Sequence, residues 1–140
     1  MKKTTYFISS RWRNRDLVLS LVKALRQKGQ KVLSFFENPY NSDAANDDPE
    51  EVMKKWEAMP NWQQEKIVKQ IFEEDMRCIR KSDAVILLLP AGISAHVEIG
   101  FAHGLNKKCI LIGKPEKTES AYMIFDETYD AIKDFLKSIN

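Results

Sequence analysis

Glycine is scarce in this chain, with 5 among 140 residues. Neither Ile8 nor Leu89 is followed by the glycine spacing of a P-loop or a dinucleotide fold. Cysteine is rarer still. Cys78 and Cys109 lie far apart and match no metal spacing, and with only His96 and His103 besides, no metal site is expected. Both cysteines stand in apolar surroundings, so free buried thiols in a reducing, cytoplasmic compartment are expected. No apolar run approaches the roughly 20 residues of a membrane span. Lys2-Lys3 with Thr4 to Ile8 is too short an apolar stretch for a signal segment, and Arg11 to Arg15 follow at once. No membrane partner is therefore expected. A formal net charge of +2 is also too small to point to nucleic acid. The one local excess is Lys2, Lys3, Arg11, Arg13 and Arg15. It suits either a phosphate-bearing ligand or a solvated basic patch.

What is present is an ordinary globular mixture, 44% hydrophobic and 30% charged, in a length that fits one domain over residues 1–140. Tyr6-Phe7-Ile8 reads as a first strand. Leu17, Val18, Leu21, Val22 and Leu25 recur at helical spacing, and Gly29 supplies a stop. Lys31 to Phe36 predicts a second strand, ending in the polar turn Glu37 to Asp43. Asp48-Pro49 reads as a cap and first-turn proline for a short helix to Met59. Asn61 and Gln64 form a cap-like pair before a longer helix with Ile67, Ile71, Phe72, Met76 and Ile79 on its apolar face.

Ala84 to Leu89 is a buried central strand by its unbroken apolar run. A helix from near Ser94 to Gly104, a strand over 108–113, an edge strand over 122–125 and a helix over 129–139 follow. Alternating strands and helices imply an α/β class: a single doubly wound domain with a mostly parallel sheet of about five strands.

Such sheets bind ligands beyond the carboxyl ends of their strands. Ser9 to Asn14, Glu37 to Asp43 and Pro90 to Glu98 should therefore meet in one crevice. Gly92 and Ser94 fit a helix N-terminus, which receives anions. Glu98 lies one turn inside that helix, on the line of Ser94, Ala102 and Leu105. Spacing alone leaves it either in the crevice or facing solvent beside the first turn. Asp75, four residues from Ile71 and from Ile79, is either a hydrogen-bonded structural acid or a crevice acid. Asp83 precedes a strand and reads as a turn residue. His96 is nearly opposite Glu98 on the helix and belongs at a rim or surface, while His103 reads as structural. Trp12, Trp56 and Trp62 suit packing or stacking on a base.

Tyr6-Phe7-Ile8-Ser9-Ser10, the stretch from Asp75 to Val85, and above all Glu98-Ile99-Gly100-Phe101-Ala102-His103-Gly104-Leu105-Asn106-Lys107-Lys108 resemble the nucleoside 2-deoxyribosyltransferase superfamily, which includes deoxynucleoside-monophosphate N-glycosidases. The resemblance runs in order over nearly the whole chain. It implies a flavodoxin-like fold, a homo-oligomer, a nucleoside or nucleotide substrate, and N-glycosidic bond cleavage or transfer without cofactor. By the same resemblance, Glu98 matches the nucleophile that forms a glycosyl-enzyme ester. Asp75 matches an active-site acid, and Tyr6 a tyrosine that hydrogen-bonds the nucleophile. Ser9, Ser10, Arg11, Gly92 and Ser94 match the substrate-binding positions, where hydroxyls, a guanidinium and a helix N-terminus hold a 5′-phosphate. The transferases carry an acidic base-recognition residue where this chain has Ala91-Gly92-Ile93. That difference leaves open a hydrolase or a non-catalytic nucleotide sensor; a TIR-like NAD-cleaving domain, which shares the general layout and uses a glutamate, is a further alternative.

Overall fold

The computed structural model describes residues 3–41 and 46–139. Lys2 of the basic cluster and Ser42-Asp43 of the polar turn lie outside the described residues. Five strands form one sheet: β1 (Thr5–Ser9), β2 (Lys31–Ser34), β3 (Ala84–Leu88), β4 (Lys108–Ile112) and β5 (Glu127–Tyr129). Their order is β2-β1-β3-β4-β5 and every pairing is parallel. The helices are α1 (Arg15–Gln27), α2 (Pro49–Glu57), α3 (Lys66–Lys81), α4 (Ile93–Gly104) and α5 (Ile132–Lys137). The doubly wound α/β expectation holds, and strand order reverses between β1 and β3.

Alternation along the strands divides the core in two. Tyr6, Ile8, Ile86 and Ile110 pack against Val18, Leu21, Val22 and Leu25 of α1 and Phe135 of α5. Phe7, Val85, Leu87 and Leu111 pack against Met76 and Ile79 of α3 and Ala95, Ile99 and Ala102 of α4. Asp83 ties the amino edge together: its Oδ2 accepts from Thr5 N at 2.9 Å, and its own N–H donates to Thr5 O at 2.8 Å. It is the turn residue that its position predicts.

The helix α3 overhangs the sheet. Its 16 residues span about 24 Å at 1.5 Å per residue, whereas the 5 residues of β3 span about 17 Å. A helix feeding a parallel strand starts at the carboxyl edge, so its first turns project past that edge. Ile67, Ile71 and Phe72, expected on a core-facing stripe, are consequently half-buried or exposed.

Other expectations are corrected. The helix does not open on an Asn61 cap: Asn61 adopts φ +50 with no side-chain cap bond, and a short 3-10 turn precedes α3. Residues 122–124 lie in a 3-10 turn over Ser120–Ile124 with Phe125 just after it, and the edge strand is Glu127–Tyr129. Asp48, by contrast, caps α2 through a bond from Glu50 N at 3.2 Å, with Pro49 in the first turn. No described helix is long and apolar enough to cross a membrane.

Gly113 closes the end of β4 at φ +118, and a Cβ there would stand 2.7 Å from the Cβ of Leu89. Gly100 in α4 has open space at the same position. Gly113→Ala should therefore cost about 1–3 kcal/mol, whereas Gly100→Ala should stabilise by up to about 1 kcal/mol. Thermal unfolding of the two variants checks this; equal effects would contradict the close approach at Gly113.

Candidate active site

Four elements bring side chains together beyond the carboxyl edge of β1 and β3. Ser9, the last residue of β1, shares the sheet face of Phe7 and Leu87 and is fully buried. Its hydroxyl hydrogen-bonds Glu98 Oε1 and lies 3.4 Å from Ala95 O. A serine has one hydroxyl proton. With Glu98 ionised it donates to the carboxylate. With Glu98 protonated, the acid donates to Ser9 and the serine proton turns to Ala95 O. Ser9 thus holds Glu98 in either state. The crevice reading of Glu98 is the one this geometry supports, and it removes the solvent-facing alternative.

Asp75 lies at the lip of the overhang, 9% exposed, and Asn38 Nδ2 donates to its Oδ1 at 3.3 Å. Asp75 and Glu98 line one cavity of about 470 Å³. Trp56, Glu57 and Met59 from α2 and its following turn, Trp62, and Val68, Ile71, Phe72 and Met76 from α3 form two walls. Ile93, Ser94 and Val97 from α4 form a third. The polar lining is Asp75, Glu98, Glu57 and the Ser94 hydroxyl, and the remainder is aromatic or aliphatic. Such a cavity suits a flat, partly polar ligand.

Burial dominates the electrostatics. Desolvation pushes Glu98 up to about 7, the charge of Asp75 adds to the rise, and the Ser9 bond opposes it. Asp75 is pushed up to about 6, again mainly by burial, with Asn38 opposing and Glu74 adding. Two neighbouring carboxyls that both resist ionisation share protons near neutrality, and they titrate as a pair.

A larger cleft of about 560 Å³ opens on the other flank of the start of α4, among Leu89, Pro90, His96, Lys114 and Tyr122. It holds neither carboxyl. Its two aromatic polar groups satisfy each other: His96 Nε2 and the Tyr122 hydroxyl are 2.7 Å apart, and His96 Nδ1 lies 2.8 Å from Gly92 O. His96 staples the start of α4 to the 120–124 turn, a rim role on the side away from Glu98. The smaller cavity is the candidate site.

Several expected site residues fall elsewhere. Tyr6 is on the opposite sheet face from Ser9, packed edge-on against Phe135 at 5.9 Å between ring centres. It makes no bond to Glu98, because one residue along a strand changes the face; the serine three positions later takes that place. The Ser10 hydroxyl donates to Leu88 O at 2.8 Å and accepts from Asn14, which also bonds Pro90 O. It joins β1 to the end of β3 and does not line the cavity. Arg11 is exposed, bonded weakly to Asn14 at 3.4 Å, and also outside the lining.

Arg13 is occupied by Glu50 at 2.7 Å and Glu57 at 3.0 Å, and Arg15 donates to Asp47 O at 2.5 Å. Much of the basic cluster therefore anchors α2. Gly92 is the exposed N-cap of α4, where no side chain caps the first turn, and Ser94 lines the cavity. Trp12 packs on Phe35 and Phe36, while Trp56 and Trp62 are wall residues. Asn38 and Glu57 escaped the sequence reading. The only signal was the polar turn after β2 for Asn38, and Glu57 had none. Cys78 and Cys109 are free, both pushed up to about 11 by burial, which leaves them unreactive. No cluster of metal-ligating side chains occurs among the described residues.

No family model and no curated protein matches the chain. Solved structures do. A 2-deoxyribosyltransferase from Bacillus psychrosaccharolyticus superposes with TM-score 0.63 at 13% identity, over 94% of this chain and 90% of that one. The CMP N-glycosidase BcmB of Clostridium botulinum gives 0.54 at 19% identity, over 96% of each chain. A conserved protein from Enterococcus faecalis gives 0.62 at 13% identity, over 99% and 98%. At these identities the likeness establishes architecture alone: the chain shares the fold of the 2-deoxyribosyltransferase and the CMP N-glycosidase.

Proposed function

We propose that this protein cleaves or transfers the N-glycosidic bond of a nucleoside or nucleoside 5′-monophosphate, with Glu98 as nucleophile and Asp75 as general acid and base. The observation that carries this reading is the Glu98 carboxyl held by Ser9 beside Asp75, at the floor of an aromatic-walled cavity. The 2-deoxyribosyltransferase and the CMP N-glycosidase that share the fold support it.

In the first step a Glu98 oxygen attacks the anomeric carbon on the face opposite the base. The bond to the base breaks, its electron pair goes to the base nitrogen, and that nitrogen or its conjugated partner takes the proton of Asp75. The glycosyl ester of Glu98 remains. Water or a second base then attacks the same carbon, gives its proton to Asp75, and releases Glu98, so configuration is retained. In the substrate-free site burial raises both carboxyls, Asp75 to about 6 and Glu98 to about 7, and the pair shares a proton near neutrality. Positive charge developing at the anomeric carbon favours an ionised Glu98 and leaves that proton on Asp75.

Trp56 and Trp62 offer the base a stacking wall, and Ser94 with the uncapped start of α4 meets the 5′ end of the sugar. A homodimer or larger assembly in the cytoplasm belongs to the same reading.

Base release or exchange from a panel of nucleosides and monophosphates, followed by chromatography, is the direct test. Glu98→Ala should reduce kcat/KM on the order of 10⁴-fold or more, and Asp75→Asn by about 10²–10⁴-fold. Ser9→Ala should lose about 10–100-fold, the value of one hydrogen bond to a charged group. Tyr6→Phe should be nearly silent, because it faces the other side of the sheet. Wild type as inert as Glu98→Ala across the panel would sink the proposal.

The pair should also give a bell-shaped profile of kcat/KM against pH, with limbs near 6 and 7. Stability carries the opposite mark. A carboxyl whose folded value lies above its unfolded one loses stability as pH rises through that window. Glu98→Gln keeps an acceptor for Ser9 and removes the charge. Its stability relative to wild type should be near zero at pH 4 and grow to on the order of 1–3 kcal/mol by pH 8. Denaturant unfolding at both pH values reads the difference; a gain that is the same at each would contradict the burial of Glu98.

A further inference from the structure

Asn38 stands in the turn after β2, at the same carboxyl edge of the sheet, and is 4% exposed. Its carboxamide is engaged at both ends. Oδ1 accepts from Tyr40 N at 2.9 Å, and Nδ2 donates to Asp75 Oδ1 at 3.3 Å. A backbone N–H can only donate, so the bond to Tyr40 fixes which end of the amide is oxygen. The NH₂ end then necessarily faces Asp75. Asn38 is absent from the cavity lining, so it reaches the chemistry only through that carboxyl.

The other charged residues that line the cavity with Asp75 are acids. Glu98 faces it from α4, Glu57 lines the same cavity from α2, and Glu74 precedes it on α3, paired with Arg77. Asn38 supplies the donor that faces them. In a protonated carboxyl the carbonyl oxygen is the better acceptor, so an N–H bond to one oxygen favours the proton on the other.

We propose that Asn38 is a positioning residue of this site: its locked carboxamide orients Asp75 by donating to Oδ1 and so makes Oδ2 the oxygen that carries the acid's proton. This rests on the reading of Asp75 as the proton donor. It assigns to the β2 turn a part in the reaction that goes beyond holding the loop. The bond favours the charged form of Asp75, so removing it should weaken the acid.

The test begins without substrate, so that it stands apart from whether any nucleoside is cleaved. In ¹⁵N and ¹³C NMR titrations of wild type, the Asn38 side-chain amide should shift with the same midpoint as the Asp75 carboxyl, and should stop doing so in Asp75→Asn. In Asn38→Ala the Asp75 midpoint should rise by about one unit. Asn38→Asp keeps the acceptor for Tyr40 N and the shape while removing the donor, and should raise the midpoint further. With a cleaved substrate in hand, the alkaline limb of the pH profile should rise with it, and kcat should fall while KM changes little. An Asn38 amide that ignores the Asp75 transition in wild type overturns the proposal, as does an unmoved Asp75 midpoint in the folded variants. Lost activity with no movement of either would mark Asn38 as a loop anchor alone.

Discussion

Two carboxyl groups, Glu98 and Asp75, line one cavity in which desolvation raises both, and the rest of the site is arranged around the cost of shielding them from water. Burying an ionisable group without a partner is unfavourable by several kcal/mol or forces it neutral. No cation among the cavity-lining residues offsets these two. What stabilises them is hydrogen bonding, from Ser9 at the end of β1 and Asn38 after β2. Each donor comes from a different strand end, so the pair exists only where the carboxyl edges of β1, β2 and β3 meet. The reversal of strand order between β1 and β3 creates that meeting place.

The cavity above the pair depends on a second, weaker constraint. α2 has no buried residue, yet it supplies Trp56 and Glu57 to the wall. It is tied to the body by Arg13, which bridges Glu50 and Glu57, and by Arg15 on Asp47 O. Ion pairs this exposed are worth about 0–1 kcal/mol each and weaken with salt. The α2 wall is therefore held by weaker interactions than the buried strand ends beneath it. The basic cluster near the N-terminus serves this architecture more than it serves an anion.

Where the reading of the chain succeeded, period and punctuation carried it. The spacing of Val18, Leu21, Val22 and Leu25, the apolar run from Ala84, and the Asp48-Pro49 cap each depend on neighbours within a few residues. Where it failed, a distant partner decided. The 122–125 segment has strand-like residues, but the pairing surface of β4 is taken by Glu127–Tyr129, with Cys109 O and N bonding Asp126 just before it. Phe72 fits a helical apolar stripe, but α3 is longer than the strand it feeds, and its first turns have no sheet to cover.

The same division runs through the site. By itself the sequence determined the α/β class, the helix start before Glu98, and the placing of Glu98 and Asp75 on helices, because helical and strand periods are local properties of the chain. Tertiary structure alone decided that Glu98 faces inward, that Ser9 is its partner and Tyr6 is not, and that Asn38 holds Asp75. Hydrogen bonds and burial depend on groups that are 37 to 89 residues apart in the chain. No local pattern encodes which of them will meet; sheet order and the face of each strand do.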